Sequence, residues 1–197
     1  MVKVSFVLAI YNAERTLREC LNAVIRQHDR DYEIIIVDGG STDATLSIVH
    51  QFIATKAPIR LLHNPRKLSE GKGMSKAMGE QSARGKYVIF LDHDNIIVGS
   101  DWITRILEPF ELDRNSMASQ SMLAHNPGDS LFLEYINSLG VEDPFAVPHS
   151  LVAQVTLYPE RFARENGYYV YTLGNGKVLY AGANGCAFRK EVFNTIG

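Results

Sequence analysis

The chain has 197 residues, with 20 Lys and Arg against 22 Asp and Glu and a formal charge of −2. Hydrophobic residues make up 46% and charged residues 21%, usage that excludes a disordered chain or a fibrous repeat. The balanced charge argues against nucleic acid as a partner, since general binding rests on a positive surplus.

Met1 to Ser5 lead into an apolar run of about seven residues with no small-residue cleavage pattern of a signal peptide. No apolar stretch approaches the roughly 18 residues of a membrane span. The expectation is a cytoplasmic protein; work at the inner face of a membrane, in a full-length protein, stays open. Cys20 and Cys186 form no metal-ligand spacing and are expected to be free, buried thiols.

Val4 to Ile10 is apolar and rich in β-branched residues, a buried strand. Leu17, Cys20, Leu21, Val24 and Ile25 then share one face of a helix. Glu33 to Asp38 is a second buried strand. Ser41-Thr42-Asp43 supplies N-cap chemistry for a helix carrying Val49, Phe52 and Ile53. Ile59 to His63 is a third strand, and Gly71 to Ala83 a loop running into a helix. Tyr87 to Leu91 is a fourth strand. Ser100 or Asp101 opens a helix with Ile103, Ile106, Leu107 and Phe110 on one face. Beyond it lie a strand in Met117–Leu123, a helix in Ser130–Leu139, loop over 140–153, and a turn at Gly174-Asn175-Gly176. Val192, Phe193 and Ile196 begin a last helix. Apolar strands alternating with helices predict an α/β fold, a mostly parallel central sheet flanked by helices on both faces.

Ligands of open α/β sheets bind at the carboxyl ends of the strands. There the sequence places Tyr11-Asn12-Ala13-Glu14, Asp38-Gly39-Gly40-Ser41-Thr42-Asp43 and Asp92-His93-Asp94-Asn95. No glycine-rich dinucleotide fingerprint follows the first strand, and Gly71-Lys72-Gly73 lacks the pattern of a P-loop. If strand geometry persists past Leu91, the Asp92 and Asp94 carboxylates project to one side and His93 to the other. Two carboxylates about 4 Å apart repel by roughly 4 kcal/mol at an effective dielectric near 20. A divalent cation, Mg²⁺ or Mn²⁺, removes that conflict. The bland alternative is a polar turn. Likewise Asp38 and Asp43 could serve only their own turn and the next helix N-terminus. Tyr11 could be a packed aromatic.

Three segments resemble a family 2 glycosyltransferase in the expected order: Val4 to Asn12 with Gln27 and Glu33 to Thr45, then Gly85 to Asp94, then Gly182 to Lys190. The resemblance implies the single-domain GT-A fold over 1–197, with a nucleotide-binding half in 1–110 and the start of an acceptor-side half in 111–197. It implies a nucleotide-sugar donor, UDP-sugar first, and inverting transfer to an acceptor that is lipid-linked, polysaccharide or protein. By the same resemblance, Asp38 meets the base, and Ala9 to Tyr11 form the other wall of its pocket. Asp92 lies near the ribose or metal, and Asp94 holds Mn²⁺ or Mg²⁺ on the diphosphate. Lys72, flanked by glycines, is a candidate phosphate contact, whereas Lys67 and Lys76 read as a solvated basic face. Arg189 and Lys190 edge the acceptor site or merely start a surface helix. The general base is expected beyond Gly197, which makes the chain a fragment; Asp143, beside Glu142, is the weak candidate within it. A non-catalytic nucleotide-sugar-binding module is the rival reading. A flavodoxin-like or receiver domain is disfavoured by the Gly182–Lys190 segment.

Overall fold

The computed structural model describes residues 2–64, 74–121, 163–165, 168–170 and 185–196. Contacts divide the chain into two compact units, residues 1–120 with 183–197, and residues 121–182. In the second unit the described residues form an antiparallel ribbon, β6 (Ala163–Glu165) with β7 (Tyr168–Val170). The expected helix of 130–139, the loop of 140–153 and the turn at 174–176 lie outside the described residues.

The first unit is built on β1 (Val4–Ile10), which is buried at every position. It pairs in parallel with β2 (Tyr32–Asp38) on one side and β4 (Tyr87–Phe90) on the other, and β2 pairs in parallel with β3 (Ile59–His63). Beyond β4 run β8 (Cys186–Arg189), antiparallel, and β5 (Ala118–Gln120). The order is β3-β2-β1-β4-β8-β5. This is the mostly parallel sheet that the alternating pattern implied, made mixed by antiparallel β8.

Alternation along each strand explains how both faces are filled. Phe6, Leu8 and Ile10 of β1, Ile34 and Ile36 of β2, and Ile89 of β4 point to one face. There they meet α1 (Leu17–Ile25), α2 (Thr45–Ala54) and α4 (Trp102–Leu112), through Leu21, Val24, Val49, Ile103 and Leu107. Val7, Ile35, Val37, Val88 and Phe90 point the other way, against Met78 and Ala83 and against Phe193 of the short helix α5 (Glu191–Ile196). Burying one such side chain stabilises the fold by roughly 1.5–3 kcal/mol. Phe6, edge-to-face on Tyr32 at 5.8 Å, is a position where truncation to Ala should cost about 3–5 kcal/mol.

Two details place the helices, one polar and one steric. Buried Gln27, at the end of α1, donates to the carbonyls of Ala23 and Gly99 and accepts from the Ile103 amide of α4. On the second face, α3 (Met74–Ser82) lies hard on β1, because a Cβ on Gly79 would come within 2.3 Å of Val7 Cγ1. Only glycine permits that approach.

Candidate active site

The adjacency β2-β1-β4 sets the carboxyl ends of three strands side by side. Strands stand about 4.8 Å apart, so the backbone at the ends of β2 and β4 is separated by roughly 10 Å. Asp38 closes β2, Tyr11 follows β1, and Asp92 follows β4. In the register Ile10 lies beside Asp38, and Ala9 beside Val37. Ala9 is buried, while Tyr11 is 47% exposed. The sequence candidates Ala9, Tyr11, Asp38, Asp92 and Asp94 therefore share one sheet edge. Lys72 and Asp143 lie outside the described residues.

Asp38 is 1% exposed. Its Oδ2 accepts from the Gly40 amide at 2.9 Å, and its Oδ1 from the Ser41 hydroxyl at 2.6 Å. The Ser41 amide lies 3.2 Å from each oxygen. His63 Nδ1, at the end of β3, sits 3.7 Å from Oδ2. This carboxylate thus organises the loop that follows it, whatever else it meets.

That loop is stitched to the one after β1. The Asn12 amide donates to Ser41 Oγ, and Asn12 Oδ1 accepts from the Thr42 amide at 2.9 Å. The Ala13 amide donates to Thr45 Oγ1 at 2.7 Å. The Glu14 amide donates to Asp43, and the Ala44 amide to Glu14 Oε2. Asp43 also accepts from the Thr45 amide, at the start of α2. Desolvation alone would raise the Asp43 carboxyl, but the bonds from Thr45 and Glu14 outweigh it and hold it below its ordinary value. Asn12 adopts φ 48°, a left-handed conformation that Asn tolerates better than most residues. Asn12, Glu14 and Thr45 are not among the residues that the sequence marks for the site. Short polar side chains just after buried strands are the signal, since they satisfy turn amides.

The acidic pair departs from strand geometry. β4 ends at Phe90, and the Asn95 amide donates to the Asp92 carbonyl at 3.1 Å, closing a turn over Asp92–Asn95. Asp and Asn favour turns because their side chains bond locally. The alternating projection expected of a strand is therefore replaced. His93 Nδ1 and Thr16 Oγ1 share a hydrogen bond at 2.9 Å, which anchors the turn to the start of α1. The Cys20 thiol approaches the Asp92 carbonyl at 3.7 Å. Burial first, then the Asp94 and Asp92 charges, push that thiol up to about 12, so it stays protonated. Cys186 is likewise free and buried.

Asp94 is exposed and accepts from Asn95 Nδ2 at 3.1 Å. Asp92 Oδ1 lies 2.8 Å from the Lys76 ammonium, with both side chains 26% exposed. Lys76, expected on a solvated face, instead reaches the acidic turn from α3. Among the described residues no cluster of three or more His, Cys, Asp or Glu could hold a metal alone. Asp92 and Asp94 nevertheless fit a hard divalent cation such as Mg²⁺, which takes one or two carboxylates and completes its shell with substrate phosphate and water.

Arg189 and Lys190 turn away from this edge. Arg189 is 8% exposed. Its Nε donates to the Ser116 carbonyl and its Nη2 to that of Phe110, where it neutralises the end of α4. Lys190 donates to the Ala83 carbonyl, just beyond α3. Both basic side chains serve helix ends.

The family model for glycosyl transferase family 2 matches residues 5–197. The chain belongs to glycosyl transferase family 2. Glycosyltransferase GlyG of Streptococcus pneumoniae is 36% identical over 94 residues, 48% of this chain and 31% of that protein. Among solved structures, this family 2 chain is similar to S. aureus TarS 1–349 in complex with UDP, with TM-score 0.65 and 20% identity over 98% of this chain and 48% of that one. It is also similar to the mannosyltransferase PcManGT of Pyrobaculum calidifontis in complex with GDP-Man and Mn²⁺, with TM-score 0.66 and 18% identity over 99% and 46%. The chain spans less than half the length of each of these proteins. Among the described residues no helix is long and apolar enough to cross a membrane.

Proposed function

We propose that this chain is the donor-binding part of a glycosyltransferase that moves a sugar from a UDP-sugar to an acceptor hydroxyl with inversion at the anomeric carbon. The observation that carries the reading is the adjacency β2-β1-β4, which puts Asp38, Tyr11 and the Asp92–Asp94 turn along one sheet edge. Tyr11 offers an exposed ring against which a base can stack. Asp38, at the β2 end of the same edge, already accepts from Gly40 and Ser41, and an imide N–H would take up lone-pair capacity that its two oxygens still have. The complexes of TarS with UDP and of PcManGT with GDP-Man and Mn²⁺ support a nucleotide-sugar donor.

Asp94, with Asp92, would hold Mn²⁺ or Mg²⁺. When bound, such a cation offsets the charge of a departing diphosphate. The protein's own contribution is positional: the stitched loops hold Asp38 and the Tyr11 backbone in place before any ligand arrives. In transfer, a bond forms from the acceptor oxygen to the anomeric carbon. The bond to the diphosphate oxygen breaks, and its electron pair leaves with the diphosphate. The acceptor proton passes to a general base. Residues 1–110 serve the donor in this reading, and residues 111–197 begin the acceptor side.

The test is calorimetric titration with UDP, GDP and UDP-sugars, with and without Mn²⁺, followed by donor hydrolysis. Mn²⁺-dependent UDP binding that disappears in Asp94→Ala is the expected result. Nucleotide binding with neither hydrolysis nor transfer of the donor would mark a non-catalytic binding module instead.

A further inference from the structure

The ion pair between Lys76 and Asp92 has a second meaning, which rests on the donor site proposed above. The base of the Lys76 side chain is fixed, because α3 is held on β1 by the Gly79 contact. Its ammonium is free to swing on a four-carbon stem. That ammonium lies 2.8 Å from Asp92 Oδ1, the distance of a charge-assisted hydrogen bond. Its partner belongs to the turn that also carries Asp94. An ammonium and a divalent cation cannot both take this oxygen without strong mutual repulsion.

We infer that Lys76 is a tethered cation that guards the acidic turn. It occupies Asp92 while the site is empty and disfavours a divalent metal there. It transfers to phosphate oxygens when a nucleoside diphosphate arrives, so that metal and diphosphate bind cooperatively. In this scheme Lys76 sets the order of binding and meets the diphosphate only after Asp92 is released. The anionic ligand makes the exchange favourable by supplying the ammonium with a new partner and the metal with further oxygen ligands.

A brace that merely tied α3 to the turn would behave differently. Its loss would loosen the turn and weaken metal and nucleotide together. A guard gives opposite signs. The experiment titrates Mn²⁺ into the protein, reading free Mn²⁺ by electron paramagnetic resonance, with and without saturating UDP. For the unaltered chain, weak Mn²⁺ binding that UDP tightens by tenfold or more is expected, on the order of one unit of log affinity. Lys76→Met should tighten Mn²⁺ binding without UDP by roughly five- to tenfold and weaken UDP binding without metal. Lys76→Arg should retain the weak Mn²⁺ binding. Lys76→Gln serves as the neutral variant if Lys76→Met does not fold.

Unchanged or weaker Mn²⁺ affinity in the folded neutral variant overturns the guard. Asp94→Ala separates that failure from failure of the site itself. If Asp94→Ala leaves Mn²⁺ binding intact, the metal is held elsewhere and both readings fall. If Asp94→Ala abolishes it while the neutral Lys76 variant does not tighten it, only the guard falls.

Discussion

The second and fourth strands each deliver an aspartate to the same edge, yet their surroundings are opposite. Asp38 is buried, and its carboxylate is engaged by donors from Gly40 and Ser41. Asp92 is partly exposed and faces a lysine from another element, while Asp94 stands in solvent beside an amide. One acid is preorganised by its own loop, so its geometry needs no ligand. The other pair is met by a lysine from a different element and by a neighbouring side-chain amide. The difference teaches that proximity of an acid to a ligand edge says little about its role until its existing partners are counted.

The largest effect should come from disturbing the preorganised side. Asp38→Asn turns part of an acceptor into a donor facing the Gly40 and Ser41 amides. An unsatisfied buried donor costs about 1–3 kcal/mol, so urea unfolding should show a loss of about 2 kcal/mol. UDP affinity should fall by roughly tenfold or more as well. A variant of native stability and native UDP affinity would remove the contrast between the two acids.

Asp94→Ala should do the reverse. Stability should stay within about 0.5 kcal/mol of the parent, as for exposed sites generally, while the Mn²⁺-dependent part of UDP binding disappears. Calorimetry with and without the metal, beside a thermal melt, checks both halves. A large stability loss here would make the acidic turn as structural as Asp38.

Asn12→Ala sharpens the contrast more finely. It removes the acceptor for the Thr42 amide and leaves alanine at φ 48°. A left-handed non-glycine residue costs roughly 1–2 kcal/mol. Asn12→Gly should therefore be milder than Asn12→Ala in the same denaturation assay, even though both lose the side-chain bond.

The smallest effect concerns acid. The Asp43 carboxyl is held below its ordinary value in the folded protein. Its contribution is present above the unfolded carboxylate value, about pH 4, and is lost as pH falls through the lower folded value. Asp43→Ala should flatten that part of the stability–pH profile. Melting temperatures from pH 6 down to pH 2 test it; an unaltered acid limb would show that the Thr45 and Glu14 bonds do not couple to folding.

Much of this was legible in sequence because burial has a period. The apolar run Val4–Ile10 and the spacing of Ile103, Ile106, Leu107 and Phe110 each announce an element. The Cys186–Arg189 strand has no such signature: four residues are too few to show a period, and they become a strand because β4 and β5 each offer them an edge. The acids at the strand ends were legible for the same reason as the strands. The lysine beside Asp92 was not, since α3 comes against that turn only in three dimensions. Arg189 misled for a related reason: guanidinium groups are usually exposed, and this one is buried because two carbonyls beside α4 accept from it.

The return of β8 to the sheet sets a schedule for folding. Lys190, just beyond β8, bonds to Ala83, 107 residues earlier in the chain. The pairings among β1, β2 and β3 close much shorter loops and can form as soon as those segments leave the ribosome. β4 then waits with one edge open, and Val88 and Phe90 incompletely covered, until the distant strand arrives. Closing a loop of this length adds an entropic barrier that grows only as the logarithm of its length, but it makes the last pairing slow relative to the first. During synthesis the nascent sheet therefore passes through an interval in which an unpaired strand edge is available to other chains. Dilution or a chaperone that masks β4 should raise refolding yield more than it changes the final stability.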